Sequence, residues 1–276
     1  MKIVTDTGSL YSPKEGEELG VAVLPLSVTV NGNTYVEYVD ISSQDFLTLV
    51  KNGGIPTSSQ PSVGRTLEEF EKSTEETLVI SMADGLSGTY QSAVGAKNSI
   101  ENNDHIHVLN SRTLCGPQRY LVQKAMILRE EGLSFAEIKE KVQESIEASI
   151  SFLIPSDFDF LRRGGRLTPL AATIGGLMKI VPVMTQTEDG KRLEKFTTKR
   201  TMKKAVEEVC DKMESVGVNE NYILSISHAG VEELAKSVLD QVHERFPNSE
   251  IELFYLSPAF ITQGGPGCVA IQAIKK

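Results

Sequence analysis

A chain of 276 residues exceeds what one compact core usually holds, and about 150 residues per domain predicts two domains. Hydrophobic residues make up 40% and charged residues 24%, with no low-complexity tract, which excludes collagen, coiled coil and disorder. Lys and Arg number 28 against 37 Asp and Glu, and the resulting −9 repels phosphate backbones, so nucleic acid is not an expected partner.

Cys115, Cys210 and Cys268 show no paired spacing, which predicts reduced thiols and a cytoplasmic protein. Met1 leads straight into strand-like Lys2-Ile3-Val4-Thr5, unlike a signal peptide. The longest apolar stretches, residues 21–30 and 174–184, are interrupted by Pro25 and Lys179 and are too short to span a bilayer.

In chain order, an apolar run at 3–5 stops at Asp6-Thr7-Gly8-Ser9. Ser12-Pro13-Lys14-Glu15 then reads as N-cap, first-turn proline and capping-box glutamate. Residues 21–30 and 35–38 flank Asn31-Gly32, a strong hairpin signal. A helix is predicted over 46–50, ending at Gly53. Residues 78–82 read as a buried strand followed by a helix over 87–100. A strand at 105–109 precedes a helix over 118–131, closed by Gly132. Ser134-Phe135-Ala136-Glu137 repeats the capping box and opens a helix with Ile138, Val142 and Ile146 at helical spacing. Residues 150–154 are again apolar.

This alternation predicts an α/β fold, with a parallel or mixed sheet and helices on both faces. The rhythm changes between Pro155 and Pro169, around Arg162-Arg163-Gly164-Gly165-Arg166. The expected division is an N-terminal α/β domain over 1–157, with a small β-hairpin near 21–40, and a C-terminal α/β domain over 158–276. The second half reads as a hairpin at 180–186 and 193–196 around Asp189-Gly190, then a helix (202–215), a strand (222–227), a helix (231–246) and a strand (251–256).

Three segments carry candidate chemistry. In Gly85-Leu86-Ser87-Gly88-Thr89, Ser87 falls at the predicted start of a helix, where unpaired N–H groups favour an anion. Ser87 is equally suited to plain capping. A nucleophile elbow also needs a serine between strand and helix, but Thr89 stands where that motif has glycine, and His228 is the available base. Thr57-Ser58-Ser59-Gln60-Pro61-Ser62 reads as a loop that aims hydroxyls at a polar head or simply caps a helix. Arg162, Arg163 and Arg166 form a cationic segment, expected to face outward toward an acidic partner or to cap a helix end. Gly264-Gly265-Pro266-Gly267 lacks dinucleotide spacing, and His105 and His107 lack further metal ligands at the usual spacing, so no metal and no cofactor are expected.

Together with Val4-Thr5-Asp6-Thr7, these three segments and the glycine turn occur in an order that resembles the DegV family of bacterial lipid-binding proteins. They are Thr57 to Ser62, Leu86 to Ala93, Leu161 to Leu167, and Gly265-Pro266-Gly267. The resemblance covers nearly the whole chain. It implies two α/β domains with a ligand tunnel between them and a bound long-chain fatty acid of the palmitate or oleate class. It further implies a binding subunit rather than a self-sufficient enzyme, presenting the carboxylate to a separate ATP-dependent fatty-acid kinase.

By the same resemblance, Ser58 and Ser87 hold the carboxylate, with Thr57, Gly88 and Thr89 adjoining. Ser58 stands where the family usually has threonine, and Gln263 where many members have histidine. A glutamine amide donates a hydrogen bond but carries no charge. Neutral donors, with no buried Arg or Lys, would leave the carboxylate reactive, and ligand retention would vary little between about pH 6 and 8. Arg162 and Arg166 are expected to contact the kinase. A serine esterase using Ser87 and a lipid sensor without kinase coupling are the alternative readings.

Overall fold

The computed structural model describes residues 1–173 and 180–276, so most of the apolar stretch at 174–184, Lys179 included, lies outside the described residues. The first half runs β1 (Lys2–Asp6), α1 (Pro13–Leu19), β2 (Ala22–Leu24), β3 (Ser27–Val30), β4 (Asn33–Val36), α2 (Ser43–Lys51) and β5 (Thr57–Ser59). It continues through α3 (Val63–Glu71), β6 (Thr77–Ser81), α4 (Thr89–Asn98), β7 (Ile106–Asn110), α5 (Gly116–Glu130) and α6 (Phe135–Glu147). The second half comprises β8 (Ser149–Ile154), α7 (Phe158–Gly164), α8 (Pro169–Ala172), β9 (Val181–Gln186), β10 (Leu193–Lys199) and α9 (Met202–Ser215). It ends with β11 (Tyr222–His228), α10 (Glu232–Arg245), β12 (Glu250–Tyr255), α11 (Pro258–Gly264) and β13 (Val269–Lys275).

Local chemistry sets the ends of these elements. Ser12 and Glu15 close a capping box on α1, and Ser134 with Glu137 closes another on α6. Asn31 and Gly32 take φ of 54° and 77°, which gives the tight turn between β3 and β4. The first half of the hydroxyl run expected as a loop is strand β5, with Val28 paired to Ser58, while Ser62 at its end caps α3 by accepting from Arg65 N. The partner of β5 lies far upstream, so the local sequence could not reveal the ladder.

Three sheets result among the described residues. The first is parallel, in the order β2-β1-β6-β7; its strand β6 is buried throughout and correspondingly apolar. The second is mixed, in the order β10-β9-β8-β13-β11-β12, and the third is the small β4-β3-β5 sheet. Helices α5 and α6 lie between the two large sheets. There Leu121 and Val142 pack with Ile3 and Leu78 on one side and with Ile223 and Ile274 on the other. Each such fully buried aliphatic side chain contributes about 1.5–3 kcal/mol. Helices α3 and α4 cover the outer face of the first sheet through Phe70 and Ala93, and α9 and α10 that of the second through Val206 and Val238.

Strand β8 lies ahead of the boundary expected at 157/158, yet it is paired from Ser149 to Ile154 with β13 in the second sheet. By hydrogen bonding, the second sheet therefore begins at Ser149, ahead of the expected boundary. The shared helical layer blurs any division read from a change of rhythm alone. The small sheet, α2 and α11 form their own core around Val28, Phe46, Ile261 and Cys268, and this core forms one side of the cavity described next.

Candidate functional site

A cavity of about 520 Å³ lies where the small sheet, the loop after β6, α11 and the inner face of the second sheet meet. Its middle is apolar, walled by Leu114, Leu153, Met184, Leu256, Phe260 and Cys268. Strand alternation explains the wall: Leu153 and Ala270 face the cavity, while Phe152 and Ile271 belong to the opposite core. Phe152 also reaches the cavity's edge.

Ser58, Gln60, Ser87, Gly88 and Gln263 form the polar end. Gln60 and Gly88 are exposed there, so this end opens toward solvent. Gln263 Nε2 donates to Ser58 Oγ at 3.1 Å, which leaves the Ser58 hydroxyl hydrogen available to an incoming anion. Ser87 Oγ and Thr89 Oγ1 lie 2.8 Å apart, so one of their two hydrogens is used between them and one remains. The backbone N–H of Thr89 also donates to Ser87 Oγ, at 3.2 Å.

Helix α4 begins at Thr89, two residues later than expected, and its N-cap is Gly88, with no side-chain cap. Ser87 therefore precedes the cap rather than serving as it. Two glycines allow the glutamines to approach: a Cβ at Gly88 would collide with Gln60 Oε1, and one at Gly164 with Gln263 Oε1.

Thr57 and Thr89 are not in the cavity wall. Thr57 is exposed and pairs with Thr29, and Thr89 acts through Ser87. Ser87 and His228 are not brought together. His228 Nδ1 accepts from Val231 N at 3.3 Å and its ring packs edge-on to Tyr255, so His228 is not placed as a base for Ser87. Of the strand histidines, His107 faces Glu76 at 3.1 Å, and no metal-holding cluster occurs among the described residues.

The cationic segment divides. Arg162 lies outside the cavity, with an ion pair to Asp159 at 2.6 Å and a bond to the Ala172 carbonyl at 3.3 Å. Arg166 does not face outward. It lines the cavity, half-buried, donating to the Leu86 carbonyl at 3.0 Å and to that of Gly164. The cause is Gly165, whose φ of 71° ends α7 in a left-handed turn and returns the chain inward. Burial lowers the Arg166 pKa from the ordinary guanidinium value. The expectation of a head group held without any buried cation is thus corrected. Sequence reading could not separate Arg166 from its neighbours, because only the turn distinguishes them.

A buried carboxyl adjoins the site. Glu37 accepts from Ala259 N at 2.9 Å and from the Thr7 hydroxyl, joining the end of the small sheet to the start of α11, the helix that carries Gln263. Desolvation, aided by the charge of buried Asp6, raises its pKa to about 7, against the bonds from Thr7 and Ala259. A titrating group therefore stands within the window where none was expected. Its signal in the sequence was only an isolated acidic residue just after a β-hairpin.

No helix among the described residues is long and apolar enough to cross a membrane. The DegV family model, described as "Uncharacterised protein, DegV family", matches residues 1–276. A DegV domain-containing protein of Staphylococcus aureus is 31% identical over 278 residues, covering 99% of this chain and 98% of that one. One of Halalkalibacterium halodurans is 32% identical over 276 residues, covering 98% and 96%. Among solved structures, DegV of Bacillus subtilis, described as a fatty acid binding protein, has a TM-score of 0.84 and 29% identity, covering 100% of this chain and 99% of that one. A DegV family protein of Ruminococcus gnavus, described with vaccenic acid, has a TM-score of 0.87 and 26% identity, covering 98% of each chain. With the family pattern matched from end to end, this chain belongs to the DegV family.

Proposed function

We propose that this protein binds a long-chain fatty acid in the cavity, with the carboxylate at Ser58, Ser87 and Gln263 and the tail along the apolar wall. The observation that carries this reading is one cavity with a polar, solvent-open end and an apolar interior. Relatives described as fatty acid binding proteins support it. The tail supplies most of the affinity, at about 0.8 kcal/mol per buried methylene. The hydroxyls of Ser58 and Ser87 orient the head, and Arg166 adds positive potential beside Ser87.

The protein in this reading is a cytoplasmic carrier with no chemistry of its own. A separate ATP-dependent kinase would reach the carboxylate through the open end. A carboxylate oxygen would attack the γ-phosphorus, the bond to ADP would break, and acyl phosphate would form. Arg162, outside the cavity, is the group we assign to that partner contact.

Native mass spectrometry of protein purified from a bacterial host tests the first part: a retained mass of one fatty acid is expected. An empty protein that hydrolyses acyl esters would overturn it. Adding the kinase encoded by the same host, with ATP, tests the second part. Acyl phosphate is expected, and its absence with ligand still bound would leave a lipid sensor.

A further inference from the structure

The β8–β13 wall of the cavity carries a second polar pair, separate from the groups assigned to the carboxylate. Gln272 is 1% exposed and lines the cavity from β13, where its cross-strand partner on β8 is Ser151, also a lining residue. Gln272 Nε2 donates to the Leu114 carbonyl at 3.1 Å and to Ser151 Oγ at 2.9 Å. A carbonyl can only accept, so the contact with Leu114 fixes which end of the amide is nitrogen. Gln272 Oε1 is then buried with no donor among the described residues. Ser151 Oγ accepts from Gln272, and among the described residues no protein acceptor takes its hydrogen. One acceptor and one donor thus stand side by side; Gln186, the polar lining residue next to them on β9, gives its amide N–H groups to the Arg112 and Gly190 carbonyls.

An unmet acceptor in such a place is costly, so its occupant should bring an O–H group. The position of the pair says where on a ligand that group belongs. Cys268 lies against Gly264, the neighbour of Gln263, and Gln272 is four residues further along the same strand direction. At about 3.3 Å per residue that places the pair roughly 13 Å beyond Cys268. An extended hydrocarbon advances about 1.25 Å per carbon, so the pair meets the middle of a long chain.

We propose that Gln272 and Ser151 form a subsite for a fatty acid carrying a mid-chain hydroxyl group. The hydroxyl donates to Gln272 Oε1 and accepts from Ser151. A keto or epoxide group only accepts and would leave Gln272 Oε1 unmet. The proposal rests on the fatty-acid reading above and adds chain chemistry to it.

The test uses ligand-stripped protein and measures affinity for octadecanoic acid and for its derivatives hydroxylated at successive mid-chain carbons. In the wild type, one mid-chain position should bind at least as tightly as the plain acid, although a hydroxyl in a dry apolar channel ought to weaken binding. Gln272→Met should tighten the plain acid and cut the preference for the hydroxylated one roughly tenfold or more. Ser151→Ala, which leaves the amide in place, should cut it by a smaller factor, and it decides the matter if the Met variant does not fold. Discrimination against the hydroxyl at every position, or a preference that both variants leave intact, would mean that the pair holds ordered water only, and the subsite falls while fatty-acid binding stands. Failure of every acid to bind the wild type would overturn the fatty-acid reading and the subsite with it.

Discussion

The two ends of the cavity are built on different principles. The open end is assembled from short pieces far apart in sequence: β5, the turn before α4, the turn after α7, and the last turn of α11. Its polar groups hold one another, as in the pairs Gln263–Ser58 and Ser87–Thr89, and part of it is exposed. The deep end is made of neighbouring strands of one sheet, β8, β9 and β13, whose alternation fixes every inward side chain. A head site made of turns can adjust to a partner, whereas a tail channel made of ladders acts as a ruler. Affinity should therefore be lost mainly by altering the strands, and presentation mainly by altering the turns.

The largest expected effect tests the ruler. Ala270 is buried on the cavity face of β13, midway between Cys268 and Gln272. Ala270→Phe should block the channel there and strand the outer half of a long tail. Losing about five buried methylenes costs about 4 kcal/mol. Long-chain acids should weaken by roughly a thousandfold, while short acids that end before the block should hold their affinity. Titration of both with the folded variant checks this; equal losses for short and long acids would mean that the channel does not run along β13.

Next in size is the strut that joins the two regimes. Glu37 has a pKa near 7 in the fold and an ordinary value of 4.5 when exposed in the unfolded chain. Between these values the folded state holds the proton and the unfolded state has released it, so raising the pH draws the equilibrium toward unfolding. Stability should fall from about pH 4.5 to 7 and then level off, by about 3 kcal/mol in total at 1.36 kcal/mol per pH unit. Asp6, also buried, has its pKa raised mainly by desolvation and acts in the same direction. Glu37→Gln should remove most of the decline. Chemical denaturation across that pH range is the measurement, and an unchanged slope in the variant would assign the effect to Asp6.

At the head, Ser87→Ala should cost 1–3 kcal/mol of fatty-acid affinity, roughly the value of a hydrogen bond to a charged group. The fold should persist, because α4 takes no side-chain cap from Ser87. Unchanged affinity in the folded variant would confine Ser87 to its bond with the Thr89 backbone.

How far the sequence carried each of these features follows from the range of the forces involved. Both capping boxes and the Asn31-Gly32 turn were legible because each is decided within a few residues. The α/β alternation was legible for the same reason, and α9 was read to the residue. Strands β5 and β13 were not, because β5 exists through β3 and β13 through β8 and β11, partners remote in sequence. In the site, Ser58, Ser87 and Gln263 were reached through the family pattern, and the structure brings them to one cavity end. Arg166, Glu37 and Gln272 needed three dimensions: a left-handed glycine, a buried bond to a helix start, and the inward phase of a strand.

The smallest effect concerns Gln263. Its neutral amide cannot respond to pH, whereas Glu37, bonded to the start of α11, and His228, whose carbonyl accepts from Leu256 N, are titratable groups close to the cavity. Gln263→His puts a group of ordinary pKa near 6.5 beside Ser58. Protonation would then add a charged donor at the carboxylate, worth a fraction of a pKa unit to about one unit at this partly exposed end, or roughly a two- to tenfold gain in affinity toward pH 6. Because Glu37 and His228 are common to both proteins, the ratio of their affinities at each pH isolates residue 263. A ratio that rises as pH falls from 8 to 6 is expected. A flat ratio would mean that the ring at 263 does not reach the carboxylate, and that Ser58 and Ser87 hold it alone.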